Sequence, residues 1–407
     1  MNKKTLSTLV LIWLGWFVVL YAFQSIVTAR LDVQRPDTAV SWSAYLTRAT
    51  SASRSPYLQD PFLNSQVAWD SEYYLGIAVG GYDDPRGGRE TNPATGLSTA
   101  RNYSFFPLYP YLMKVLAVPL GIFELAPIAA AALAGAILSL LGTLAGMIAL
   151  YDITREYFDE EGGLRTVFYL LIFPSAFFLA QIYTEGLFIG LAFGALALSK
   201  RGKWLEASIL AVLASWTRAY GAVLVLPLAM AWWKSVNWKQ LDRRLLGKLV
   251  LQGLSVLLPV AAYLLWRYSP LGQGWAELQV FYFRRGFMSI STSLESWIGG
   301  FQYALTNGPA TVYFGIEVAA VAIAFFASLG MIRRDPPVAL YSLAVVVLSI
   351  FSGSAQSLER YMLAAPATFI GLGYLGRRKA FDRTWTIASL LLMGMSVMLY
   401  TLKFWVG

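Results

Sequence analysis

Long apolar runs separated by short charged clusters dominate this chain, and one soluble core has no room for so much apolar surface. Leu6 to Thr28 is the first run, about 23 residues with almost no charge, enough to span a bilayer. Others follow at approximately 105–123, 126–150, 165–182, 184–199, 204–217, 219–233, 248–267, 310–330, 337–353, 361–376 and 384–404. Charged residues make up 14% of the 407, and hydrophobic ones 57%, against roughly 25% charged in a soluble domain. The fold class is therefore an all-α polytopic integral membrane protein, a single membrane-embedded domain over 1–407, with about 11–13 transmembrane helices.

Two absences narrow the chemistry. The chain has no Cys and no His. Disulfides, thiolate nucleophiles, a Ser-His-Asp triad, imidazole bases and Cys- or His-ligated metals are all excluded. A base must come from Asp, Glu, Tyr, Lys or Arg. The net charge is +9. In a polytopic chain this reads as basic loops fixing orientation, with no nucleic-acid partner implied.

Residues 1–29 read as a signal-anchor with its N-terminus inside, although Ala29 also suits cleavage. Residues 30–104 form a polar first outer loop with seven Arg, eight acidic residues and no Lys. Val40–Leu46 and Val67–Val79 read there as interfacial helices. A helix module at 105–233 and C-terminal helices at 234–407 follow, the latter with an outer loop at 269–309. Basic clusters at Lys200-Arg201-Lys203, Lys234–Arg244, Arg333-Arg334 and Arg377-Arg378-Lys379 are placed inside. Parity then puts Tyr151–Gly163 outside and leaves 164–199 an odd number of crossings. A re-entrant hairpin bent at Phe173-Pro174-Ser175 would satisfy it. No internal repeat is visible.

Three groups of residues carry candidate chemistry. In Trp69-Asp70-Ser71-Glu72-Tyr73-Tyr74, apolar and aromatic positions recur at helical spacing, which reads as an amphipathic surface helix. Asp70 at its start reads either as an N-cap or as a general base for a sugar hydroxyl. Asp83-Asp84 reads as a solvated turn. In Asn102-Tyr103-Ser104-Phe105-Phe106-Pro107, the aromatics form an interfacial belt, stack on sugars or hold a prenyl chain; Asn-x-Ser there is a weak glycosylation pattern. Third, Glu185, Arg218 and Glu359-Arg360 are charges beside apolar runs, costly positions that suggest function. Arginine forks suit phosphate oxygens. Arg218 and Arg360 are placed on the outer face to embrace one phosphate, with Arg285 a further ligand. The remaining substrate-facing candidates are Trp69, Glu72, Tyr73, Asn102, Tyr103, Phe105, Phe106, Glu185, Tyr220 and Glu359.

These motifs, in order, resemble the PIG-V family of GPI mannosyltransferase 2, within the GT-C glycosyltransferases. The resemblance rests on Trp69-Asp70, Gly81-Tyr82, Phe105-Phe106-Pro107, Tyr183-Thr184-Glu185-Gly186-Leu187-Phe188 and Arg218-Ala219-Tyr220-Gly221, over roughly residues 1–230. It implies a GT-C-like bundle, a polyprenyl-phosphate-linked mannose donor, a glycolipid or other envelope acceptor, inverting transfer on the outer face of the cell membrane, and an acid in the first outer loop, here Asp70. No cofactor is implied; a divalent metal is compatible with the chain but not implied. Where the family carries Arg-Ser-Asn-Gly, this chain has Arg218-Ala219-Tyr220-Gly221 and lacks the amide. The rival readings are a transporter or flippase, another GT-C transferase with a different sugar or a protein acceptor, and a scaffold subunit with a dead site.

Overall fold

A computed structural model describes residues 1–31, 61–84, 88–238 and 243–406. Val40–Leu46 and Lys239 lie outside the described residues. The helices are α1 (Lys3–Arg30), α2 (Pro61–Ser65), α3 (Asp70–Gly80), α4 (Leu108–Leu120), α5 (Pro127–Thr154), α6 (Glu160–Ile172), α7 (Thr184–Lys200), α8 (Trp204–Ser215), α9 (Val225–Ser235), α10 (Arg243–Arg267), α11 (Pro270–Phe281), α12 (Ile290–Thr306), α13 (Gly308–Met331), α14 (Pro336–Ile350), α15 (Leu358–Tyr361), α16 (Pro366–Leu375) and α17 (Lys379–Thr401). A small antiparallel hairpin joins β1 (Arg89–Thr91) to β2 (Ser98–Ala100). Among the described residues, five helices are long and apolar enough to cross a membrane: α1, α5, Leu246–Arg267 of α10, Ala310–Met331 of α13, and α17. The chain is a multi-pass, all-α membrane protein.

Polar contacts define two ends of the bundle. At the basal end, Thr5 Oγ1 donates to Glu160 Oε1 at 2.6 Å. Lys200 pairs with Glu156 at 2.6 Å and Asp335 at 2.5 Å, and Arg201 with Asp152 at 2.6 Å. Arg377 lies over the Phe158 ring. At the apical end, the buried Gln24 amide hydrogen-bonds Gln66, Gln181 and Thr401. Asp70, Glu185, Arg218 and Arg360 also gather there.

These contacts overturn the expected parity. Tyr151–Gly163 lies at the basal end with the N-terminus and Lys200, not opposite them. The apolar run at 105–123 is the cause. Its helix α4 folds back along the apical turns of α5, with Tyr109 donating to the Gly135 carbonyl at 2.9 Å and Met113 packed at the same glycine. It therefore does not reach the basal end. The chain then runs from Glu160 at the basal end up to Glu185 at the apical end, α7 returns it to Lys200, and no re-entrant hairpin is needed.

The stretch at Phe173–Tyr183 between them is nonetheless irregular, as its proline requires. Side chains of α5 satisfy its carbonyls: Thr143 Oγ1 donates to Leu179 O at 2.7 Å and Ser139 Oγ to Tyr183 O at 2.9 Å. Tyr21 of α1 donates to Ala180 O at 2.6 Å. Helices α5 and α7 come close enough for this because Gly142 and Gly186 lie at the crossing. A Cβ on Gly142 would strike the Leu187 backbone, and one on Gly186 the Ser139 carbonyl. Small residues four apart, Gly142/Gly146 and Gly186/Gly190, are the usual way membrane helices bring backbones together. The consequence is a fixed apical position for Thr184-Glu185.

Candidate active site

Helix α3 is not a surface helix. Ser71, Glu72, Tyr74, Leu75, Ile77 and Ala78 are buried, and its neighbours include Phe105, Tyr109 and Ala131. Nor does Asp70 cap it. The cap position is Trp69, with no side-chain cap bond. Ser71 serves the backbone instead, accepting from Ala68 N–H at 2.6 Å and donating to Ala68 O at 2.7 Å. Trp69 has φ 61° and ψ −118°, a conformation sparsely populated for a large side chain and costing about 1–3 kcal/mol. The ring compensates by meeting Trp405 edge-on at 4.8 Å and donating to Phe404 O at 3.3 Å. The Asp70 carboxylate is thereby left to face the bundle.

There it meets Arg360. Asp70 Oδ2 is 2.9 Å from Arg360 Nη1, and Arg360 Nε is 3.3 Å from Glu185 Oε1. Glu185 Oε1 also takes Arg218 Nη1, which lies 3.3 Å from Thr184 Oγ1. Arg285 donates to the Tyr361 hydroxyl and to Gln356 O. The Tyr361 ring is the hub, with the guanidinium carbons of Arg218, Arg285 and Arg360 at 5.0, 5.2 and 5.4 Å from its centroid. Such cation–π contacts hold arginines at fixed distance without neutralising them. Phe178 and Tyr183 flank Arg360 at 5.2 and 5.1 Å.

Three features mark this cluster. Three arginines face two carboxylates, which leaves a positive charge uncompensated. Arg360 Nε and Nη1 form no aligned hydrogen bond despite their near carboxylates, and Glu185 Oε2 has no partner. Exposure is graded: Arg360 and Glu185 side chains are 5% and 3% exposed, Asp70 26%. Asp70 is the carboxylate of this group that a substrate can reach.

The other expected residues are more dispersed. Tyr73 stacks on Phe105 at 4.8 Å. Tyr220 bonds Ser349 Oγ at 2.9 Å and lies edge-on to Tyr361. Phe106 stacks on Trp266 at 4.2 Å. Asn102 donates to Gly81 O at 3.1 Å, and its buried Oδ1 has no partner. Tyr103 donates to Asp83 Oδ2 at 3.2 Å; burial and this carboxylate raise its phenol. Asp83 is exposed as expected of a turn, whereas Asp84 is buried against Gly80. Glu72 is buried with Lys403 nearby. Burial pushes its carboxyl up to about 8, opposed by Lys403. Burial lowers Lys403 to about 8, and its ammonium donates to Asn64 O and Val67 O. Glu359 turns toward Glu317 rather than Asp70. Sequence reasoning missed Tyr361 and Glu317. An aromatic adjoining Arg360, and a lone carboxylate inside an apolar run, were the available signals.

Fold and site together define a multi-pass membrane protein with a buried cluster of arginines and carboxylates at one end. The chain belongs to the mannosyltransferase (PIG-V) family, whose model matches residues 13–274. No curated protein matches the chain in sequence. Among solved structures it is similar to the Archaeoglobus fulgidus oligosaccharyltransferase. The crystal structure with Zn and sulfate matches at TM-score 0.43 and 16% identity, over 91% of this chain and 54% of that one. The apo form matches at TM-score 0.41 and 12% identity, over 96% and 56%. The chain thus spans about half the length of those proteins.

Proposed function

We propose that the protein is an inverting mannosyltransferase that takes mannose from a polyprenyl-phosphate donor and passes it to a glycolipid or other envelope acceptor. The apical end would face the outside of the cell membrane and the N-terminus the cytoplasm. The observation that carries this reading is one reachable carboxylate, Asp70, paired to a buried arginine within a three-arginine cluster.

In this mechanism Asp70 takes the proton of an acceptor hydroxyl as its oxygen attacks the anomeric carbon. The C–O bond to the donor phosphate breaks on the opposite face. The leaving polyprenyl phosphate gains negative charge as it departs and needs no proton if cations hold it. Arg360, Arg218 and Arg285 supply that stabilisation, already oriented and poorly solvated, so little reorganisation is needed during transfer. Arg360 Nε and Nη1, which make no aligned hydrogen bond, would donate to phosphate oxygens. Glu185 holds Arg218 and Arg360 apart at a fixed spacing. Tyr73 and Phe105 form a stacked aromatic wall for a sugar face. No step calls on a metal, so transfer should continue in EDTA.

The test is transfer by the purified protein from a panel of polyprenyl-phosphate sugars, with the product weighed by mass spectrometry. A product heavier by one mannose, formed only from the mannosyl donor, is expected. Transport of an intact lipid-linked sugar without its consumption would contradict the reading.

A further inference from the structure

We propose that Glu317 is a positioning residue for sugar transfer: its buried carboxylate fixes the backbone that aims Arg360 at the donor phosphate. This rests on the reading of Arg360 as a phosphate ligand. Glu317 lies within the apolar span of α13 and is 0% exposed, where a charge is expensive unless something requires it.

What it holds is the irregular segment leading into α15. Gly353 has φ 102° and Ser357 φ 66°, so neither helix nor sheet supplies partners for the backbone there. Buried N–H groups must still be satisfied. Side chains take those of every second residue. Gly353 N–H donates to Ser293 Oγ and Ala355 N–H to Ser296 Oγ, both at 2.9 Å. Ser357 N–H donates to Glu317 Oε1 at 2.6 Å and Glu359 N–H to Glu317 Oε2 at 2.8 Å. The serines of α12 take the N–H groups of the distal half, and Glu317 takes those of the half that bears Arg360. Tyr313 hydroxyl donates to Glu317 Oε1 at 2.6 Å and orients the carboxylate.

Helix α15 is a single turn, and one turn has no stability of its own. Ser175 Oγ and Arg285 meet its flanking carbonyls at Glu359 O and Gln356 O, at 3.0 and 3.1 Å, and the two bonds to Glu317 fix its N–H groups, and with them the backbone that carries Arg360. The chemistry asks for a carboxylate because two N–H donors need two acceptor oxygens. Glutamine would turn an NH2 group toward one of them.

The experiment measures binding of undecaprenyl phosphate to the purified full-length protein and its variants, alongside steady-state transfer. Glu317→Gln should weaken binding and raise the donor KM by roughly ten- to a hundredfold, the range for losing a bond to a charged group. Glu317→Asp, shorter but with both acceptors, should be closer to wild type than the isosteric glutamine. In an Arg360→Ala background, Glu317→Gln should cost nothing further, because its effect acts through Arg360. Equal losses in both backgrounds, or a glutamine variant that binds like wild type, would overturn the proposal. Should Glu317→Gln not fold, an aspartate variant whose binding loss is the same with and without Arg360 would also overturn it. Arg360→Ala that binds undecaprenyl phosphate like wild type would instead bring down the phosphate reading, and the proposal with it.

Discussion

The two ends of the bundle contain the same residue types and use them in opposite ways. At the basal end, most pairs sit at the ends of regular helices and reach water: Glu161 beside Arg165 is 81% exposed and Arg201 beside Asp152 is 52% exposed, with the Lys200–Asp335 pair the buried exception. Such pairs are screened and contribute little to stability. At the apical end, Arg218, Arg360 and Glu185 are nearly buried, several of their polar atoms lack aligned partners, and positive φ recurs at Trp69, Arg284 and Ser357 next to the charged residues. Burial combined with backbone strain, rather than charge itself, separates the proposed catalytic cluster from the basal pairs. Strain of this kind persists only where surrounding structure holds it.

The contrast can be broken by substitution. Arg360→Ala should lower kcat by roughly a hundred- to a thousandfold, the range for losing one preorganised charge-stabilising group. An effect confined to expression would place Arg360 with the anchors. Glu185→Gln should cost about tenfold or more in kcat/KM, because Arg218 and Arg360 then repel without their shared counter-ion. Steady-state kinetics in nanodiscs would show both.

A subtler effect comes from Glu72 and Lys403. Between its ordinary 4.5 and about 8, Glu72 is ionised in the unfolded chain but not in the folded one. Stability therefore falls as pH rises through that window. Lys403, lowered from 10.5 to about 8, acts oppositely: above about 8 stability recovers with pH. Thermal unfolding scanned across pH should show a minimum near pH 8. In Glu72→Gln the decline on the acid side should disappear. Smallest of all, Arg201→Ala at the basal end should alter stability by less than about 0.5 kcal/mol and leave transfer unchanged. A large loss of transfer there would erase the distinction between the ends.

Much of this was legible in the sequence. Asp70, Glu185, Arg218 and Arg360 stood out as charges against apolar surroundings, and the structure joins them in one chain of contacts. Three aspects were not legible. Hydropathy measures apolar length, so 105–123 read as a crossing, although α4 merely lies along α5. Periodicity placed α3 on a surface, because the tertiary contacts that cover its polar face come from residues remote in sequence. Glu317 sits inside an apolar run whose average hides one carboxylate, and its partners are backbone N–H groups that no side-chain motif records.

The central claim is that Asp70 is the base. Asp70→Asn keeps the size of the side chain and removes the proton acceptor, so it separates chemistry from packing. In purified protein with a polyprenyl-phosphate-mannose donor, the variant should bind donor, unfold at the same temperature as wild type, and show transfer reduced by at least about a hundredfold. Near-normal turnover by a folded Asp70→Asn variant would contradict the account.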